Sequence, residues 1–132
     1  MQWTSSGGFS THTPWIEINP RCKDINVEDA LKDKDSIYYF YKKLIELRKT
    51  HKVISVGTYT PLFEESECLY AFKRNYENEE LIVLNNFYAE ETSVSIDNIE
   101  DYEVMISNYQ DHDLKKELHI RPYETVALYK KK

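Results

Sequence analysis

Residues Glu80–Phe87 read ELIVLNNF. Leu81, Ile82, Val83 and Leu84 form an unbroken apolar run, which suits a central strand buried on both faces better than one with a wet face. Around it lie further stretches of strand character: Val53–Thr60, Cys68–Arg74, Thr92–Ile96, Tyr102–Asn108, Glu117–Ile120 and Glu124–Lys130. Seven candidates between residues 53 and 130 predict an antiparallel all-β region. Glu77 and Asn78 join two of them tightly, while Asp97, Asn98 and Asp111 mark further turns. A sandwich is the economical solution, with Val104, Ile106, Val126 and Leu128 alternating into its core.

Upstream the period changes. Ile37, Phe40, Tyr41, Leu44, Ile45 and Leu47 recur at spacings of three and four, while Lys42, Lys43, Glu46 and Lys49 face away. This predicts an amphipathic helix over Ser36–Lys49. Asp33, Asp35 and Ser36 can accept bonds from its free amides, and Arg48, Lys49, His51 and Lys52 suit its negative pole. A short helical turn is expected over Val27–Leu31. Residues 1–27 carry Gly7, Gly8, Pro14 and Pro20 and no period, so they read as loop, with Trp3, Phe9, Trp15, Ile16 and Ile18 supplying its contacts. The fold class is α+β by content: loop and helix over 1–52, then an antiparallel sandwich of about seven strands over 53–132.

The 132-residue chain has 23 acidic against 17 basic side chains and a formal charge of −6. Its hydrophobic share of 41% is enough for a packed core, since a chain of this size buries roughly two thirds of its unfolded surface. The acidic balance argues against a nucleic-acid partner, because phosphate binding is driven by Lys and Arg displacing counterions. No stretch approaches the roughly 20 apolar residues of a membrane span, and no apolar segment follows a basic N-terminus as in a signal peptide. A soluble cytoplasmic protein is expected. Cys22 and Cys68 sit in no metal or redox spacing and read as free thiols.

His12, His51, His112 and His119 share no zinc-binding spacing, so no metal and no cofactor are expected. Asp111, His112 and Asp113 resemble ligands only as a triplet; adjacent side chains point apart, and a polar turn is the stronger reading. The 11 tyrosines and two tryptophans could form a sugar-stacking platform, but most fall on helix or strand positions where a half-buried Tyr is ordinary. Glu64, Glu65 and Glu67 read as a solvated hairpin tip.

A series of segments then falls in a familiar order: MQW at Met1–Trp3, GGF at Gly7–Phe9, TPW at Thr13–Trp15 and INP at Ile18–Pro20. DINVEDAL follows at Asp24–Leu31, DSIYYFYKKLIELRK at Asp35–Lys49, GTY at Gly57–Tyr59 and PYETVALY at Pro122–Tyr129. In these the chain resembles the carboxyl-terminal portion of a glycoside hydrolase family 13 α-glucosidase, of the oligo-1,6-glucosidase or trehalose-6-phosphate hydrolase kind. The resemblance implies that the helix is the last helix of a catalytic (β/α)8 barrel, the loop before it the excursion after the eighth strand, and the strands the C-terminal sandwich.

In that family catalysis needs two carboxylates about 5 Å apart at the ends of barrel strands. A third Asp holds sugar hydroxyls, and an Arg before MQW contacts substrate. None of these positions falls within this sequence, and Glu17, Asp24, Glu28 and Glu64 match none of them. No catalytic residue is therefore expected here. The family usually continues MQW with Asp, where Thr4 stands in this chain. By resemblance the MQW loop borders the substrate mouth, making Gln2 and Trp3 the sugar-facing candidates. The expected partners are the parent barrel and, in the full-length context, α-glucosides. A homodimer through the exposed helix is the further expectation, since the stripe Ile37, Phe40, Tyr41, Leu44 and Leu47 needs cover. The alternative is a free-standing β-sandwich binding and interaction domain, with carbohydrate as one candidate ligand.

Overall fold

A computed structural model describes residues 1–131 of the chain. It forms two compact units, Met1–Thr50 and His51–Lys132. The first is loop and helix, the second an antiparallel β domain that forms no closed barrel among the described residues.

In the first unit a 3-10 turn at Pro20–Lys23 leads into α1 (Val27–Ala30) and α2 (Ile37–Thr50). Asn26 starts α1 by accepting the Asp29 amide at 2.9 Å, and the Gln2 and Trp3 carbonyls accept the Val27 and Glu28 amides at 3.0 Å each. These bonds satisfy amides that a first helical turn leaves free. At the start of α2 the Ser36 hydroxyl donates to the Ala30 carbonyl at 2.7 Å, so it ties α1 to α2 and does not accept an amide as expected. The Asp33 carboxylate takes the Asp35 amide instead. Leu47 is buried and Phe40 half-buried, whereas Ile37, Tyr41 and Ile45 remain 78%, 63% and 52% exposed.

The second unit contains seven strands: β1 (Thr60–Leu62), β2 (Leu69–Tyr76), β3 (Glu79–Asn86), β4 (Thr92–Ser95), β5 (Glu103–Ser107), β6 (Glu117–Ile120) and β7 (Thr125–Lys131). Five form one antiparallel sheet in the order β1-β2-β3-β7-β5, and β4 pairs with β6 across from it. The register of β3 explains its apolar run. Ile82 and Leu84 enter the core between the sheets with Leu69, Val94, Leu118, Ile120, Val126 and Leu128. Leu81 and Val83 enter a second core on the opposite face with Val53, Ala127 and Tyr129. Glu77, at φ +51°, turns the tight β2–β3 hairpin.

The expected strand Val53–Thr60 is not formed as such. Its first half is a helix, α3 (Lys52–Val56), and only Thr60–Leu62 pairs with β2. Tertiary contacts override the β-branched composition. Val53 is fully buried on the sheet, and its amide donates to the Glu79 carboxylate at 3.3 Å. At the other end the Arg74 guanidinium donates to the Ile54 and Gly57 carbonyls at 2.6 Å each, closing the helix with a cation where carbonyls lack partners. Gly57 itself has φ −59°, open to any residue. A Cβ there would nevertheless collide with the Val53 carbonyl oxygen and come within 3.2 Å of the Asn75 carbonyl oxygen. Gly57→Ala is thus expected to destabilise this unit by about 1–3 kcal/mol. A melting curve unchanged by the substitution would contradict the close approach.

Candidate functional site

The sugar-facing candidates Gln2 and Trp3 lie on a backbone that is held in place. The Trp3 amide donates to the Gly7 carbonyl at 2.8 Å, and the Gly7 amide to the Thr4 carbonyl at 2.9 Å, curling residues 3–7 into a tight loop. Gly7 and Gly8 take φ +92° and +71°, values that favour glycine. Cys22 reaches across with its thiol to the Ser5 carbonyl at 3.1 Å, and Asn26 donates to the Cys22 carbonyl at 3.0 Å. Trp3 keeps half of its surface exposed above this frame. Phe9, Trp15 and Ile16 are also exposed, although Ile18 and the edge of the Phe9 ring both lie beside Gly7. Backbone bonds, Cys22 and Asn26 supplement these apolar contacts.

The arrangement presents one aromatic face and one amide side chain on a fixed loop. It can stack and hydrogen-bond, but it holds no acid and no nucleophile. Glu17, Asp24, Glu28 and Glu64 are exposed. Among the described residues no three His, Cys, Asp or Glu side chains gather as metal ligands do.

Polar chemistry in the β unit is concentrated elsewhere, at a cluster the sequence reading did not find. Glu124, only 1% exposed, accepts three bonds from Arg121: from its amide at 2.7 Å, its Nε at 3.0 Å and its NH2 at 3.0 Å. His112 Nδ1 stands 3.4 Å from the same carboxylate, and Asp111 accepts from the far side of the guanidinium at 2.8 Å. The triplet Asp111–Asp113 is thus more than the polar turn expected, because the half-buried His112 turns its side chain inward, 7% exposed. Burial pushes the Glu124 carboxyl up, but the bonds and charge of Arg121 outweigh it and hold the group below its ordinary value. The hydrogen bond to Arg121 likewise lowers Asp111. The signal was present as R-P-Y-E: Tyr123 takes φ +57°, folding Glu124 back onto Arg121. A second cluster joins Tyr102 to Glu80 by a short hydrogen bond, with Lys73 3.9 Å away. Tyr129 donates to Glu79 at 2.7 Å, and burial together with that carboxylate pushes its hydroxyl up to about 12. These clusters lock strands together; Asp111, His112 and Arg121 line an open cleft with Glu91 and Asp113, and Glu80 and Tyr102 line another with Asp97.

Comparison with known proteins follows the same division. Residues 1–57 match the family profile of the alpha amylase catalytic domain, and residues 69–127 that of the alpha-amylase SusG C-terminal domain. The chain is 40% identical over 133 residues to the oligo-1,6-glucosidase of Bacillus cereus, covering 96% of this chain and 24% of that enzyme. It is 35% identical over 134 residues to the trehalose-6-phosphate hydrolase of Bacillus subtilis, covering 96% of this chain and 24% of the relative. The crystal structure of Bacillus licheniformis trehalose-6-phosphate hydrolase superposes with a TM-score of 0.89 at 41% identity, over 99% of this chain and 25% of that one. The chain thus spans about a quarter of the length of the relatives it matches. A loop and helix matching the end of a catalytic domain, running into a seven-stranded C-terminal domain over nearly the whole chain, make this the carboxyl-terminal portion of a glycoside hydrolase family 13 enzyme.

Proposed function

We propose that the chain serves a retaining α-glucosidase, acting on α-glucosidic bonds in oligosaccharides or in trehalose-6-phosphate, by completing and supporting its catalytic barrel. The observation that carries this reading is the face of α2. Ile37, Tyr38, Tyr41 and Ile45, with Lys42 beside them and not turned away as expected, line an open, mainly apolar groove of about 380 Å³ along it. An apolar face of that kind is seldom left in water, and a barrel's own strands and helices are what the last barrel helix covers. In the same reading Gln2 and Trp3 border the substrate mouth, catalysis is supplied by carboxylates outside residues 1–132, and the working compartment is the cytoplasm. Self-association through α2 is the competing use of that face.

A chimera tests the proposal. The last quarter of the Bacillus cereus oligo-1,6-glucosidase is replaced by this chain, and glucose release from isomaltotriose is followed. Activity well above that of the barrel without any C-terminal portion is expected, and Leu44→Asp should abolish most of it. A chimera no better than the bare barrel would sink the reading. So would nitrophenol release from nitrophenyl α-glucoside by the 132-residue chain alone, if substituting one of its own carboxylates abolished it. A dimer by light scattering that Leu44→Asp disperses would favour self-association instead.

A further inference from the structure

A cleft of about 450 Å³ opens in the β unit between the β1–β2 loop and the segment that follows β3. Its rim carries four aromatic rings, Tyr59, Tyr70, Phe87 and Tyr88, each between 49% and 66% exposed. The rings stand on a pinned frame. Tyr59 and Tyr70 pair their hydroxyls at 3.3 Å, and Phe72 backs both, with centroids 5.4 and 5.8 Å away. Opposite them Asn86, 2% exposed, donates to the Glu90 and Arg121 carbonyls at 2.7 and 3.0 Å and accepts the Tyr88 amide at 2.9 Å. The Tyr123 amide adds a bond to the Tyr88 carbonyl at 3.1 Å. Below, Ser66 accepts the Leu69 amide at 3.2 Å and donates its own amide to the Phe63 carbonyl at 2.9 Å.

Exposed rings on fixed backbone are the parts of a preformed binding site: flat apolar surface without the conformational cost of ordering it on binding. The polar groups among the rings narrow the ligand class. Glu64, Glu67, Ser66 and the three tyrosine hydroxyls offer acceptors and donors, and among the described residues no Lys or Arg lines the cleft. We infer that this cleft binds a neutral pyranose oligosaccharide, the C–H faces of successive rings lying on Tyr70 and Phe87 and their hydroxyls meeting Glu64, Glu67 and Ser66. A phosphorylated sugar is disfavoured by the two carboxylates. The site needs no barrel residue, so it stands or falls apart from the α-glucosidase reading.

The test uses the 132-residue chain labelled with nitrogen-15. Isomaltotriose is titrated while amide shifts are followed, with glucose 6-phosphate as the charged comparison. Saturable shifts confined to residues 59–72 and 86–90 are expected, with glucose 6-phosphate at least about tenfold weaker. Tyr70→Ala and Phe87→Ala should each weaken isomaltotriose by about tenfold, while Trp15→Ala, at an exposed ring of the first unit, should not. Thermal melts establish that each variant is folded, and Phe87, outside the strand, serves if Tyr70→Ala is not. Absence of saturable shifts, shifts scattered over the surface, affinity untouched in the folded variants, or equal binding of the phosphate overturns the assignment.

Discussion

Glu124→Ala is expected to destabilise the β unit by about 3–5 kcal/mol, the cost of breaking a buried charged pair by removing one partner. In a unit of this size that corresponds to a fall in Tm on the order of 20 °C. The loss is large because three Arg121 bonds and the His112 contact converge on one carboxylate that water cannot reach. Glu124→Gln should cost less, since it keeps an acceptor for the Arg121 amide. The same carboxylate sets an acid limit. Its folded value lies below the ordinary one, so its contribution is complete above the unfolded value, about 4.3. It is lost as pH falls through the lower folded value. Melts from neutral to strongly acidic pH should therefore slope more steeply for the native chain than for Glu124→Gln below about pH 4. Parallel slopes would mean that the carboxylate is not held as described.

Leu84→Ala is expected to cost about 2–5 kcal/mol. Leu84 is fully buried between the sheets, and deleting its methyl groups leaves a cavity that β4 and β6 cannot close without breaking their own packing. Val83→Ala, one residue along but half-buried on the α3 face, should cost clearly less. Equal costs would mean that the two cores are not distinct. The experiment also tests where the β unit starts. We propose a boundary before His51 in place of the sequence-based start at Val53. His51 precedes α3 and meets Tyr129 edge-on at 5.3 Å, so a cut at 53 removes both that contact and the first residue of the helix. A chain trimmed to 51–132 should melt cooperatively, with the same Leu84→Ala penalty as the full chain.

The architecture was legible where side-chain pattern and environment agree. The run Leu81–Leu84 pointed to a strand covered on both faces because no other position demands two apolar sides. The spacing of Ile37 to Leu47 gave the α2 helix within a residue at each end. Val53–Val56 was misread because its β-branched residues follow local preference, whereas its helix depends on Arg74, which lies 17 to 20 residues further along the sequence. Glu124 escaped notice for a similar reason. A carboxylate near a turn looks solvated until the left-handed Tyr123 folds it beneath Arg121. Gln2 and Trp3 became candidates only through resemblance, since neither carries a chemical signature of its own. Besides the loop's own bonds, Cys22 and the Val27 and Glu28 amides hold its backbone, contacts that no pattern in residues 1–8 announces.

The two borders of the five-stranded sheet have a consequence for how the molecule behaves in a crowd. One border is β1, three residues long and centred on Pro61, which has no amide hydrogen to offer a neighbour. The other is β5, whose ladder against β7 slips between Val104 and Ile106. A short proline-bearing border and a bulged one both present broken templates to an incoming strand. The five-stranded sheets of separate molecules therefore offer each other poor templates for edge-to-edge growth into a ribbon, while the apolar α2 face remains exposed.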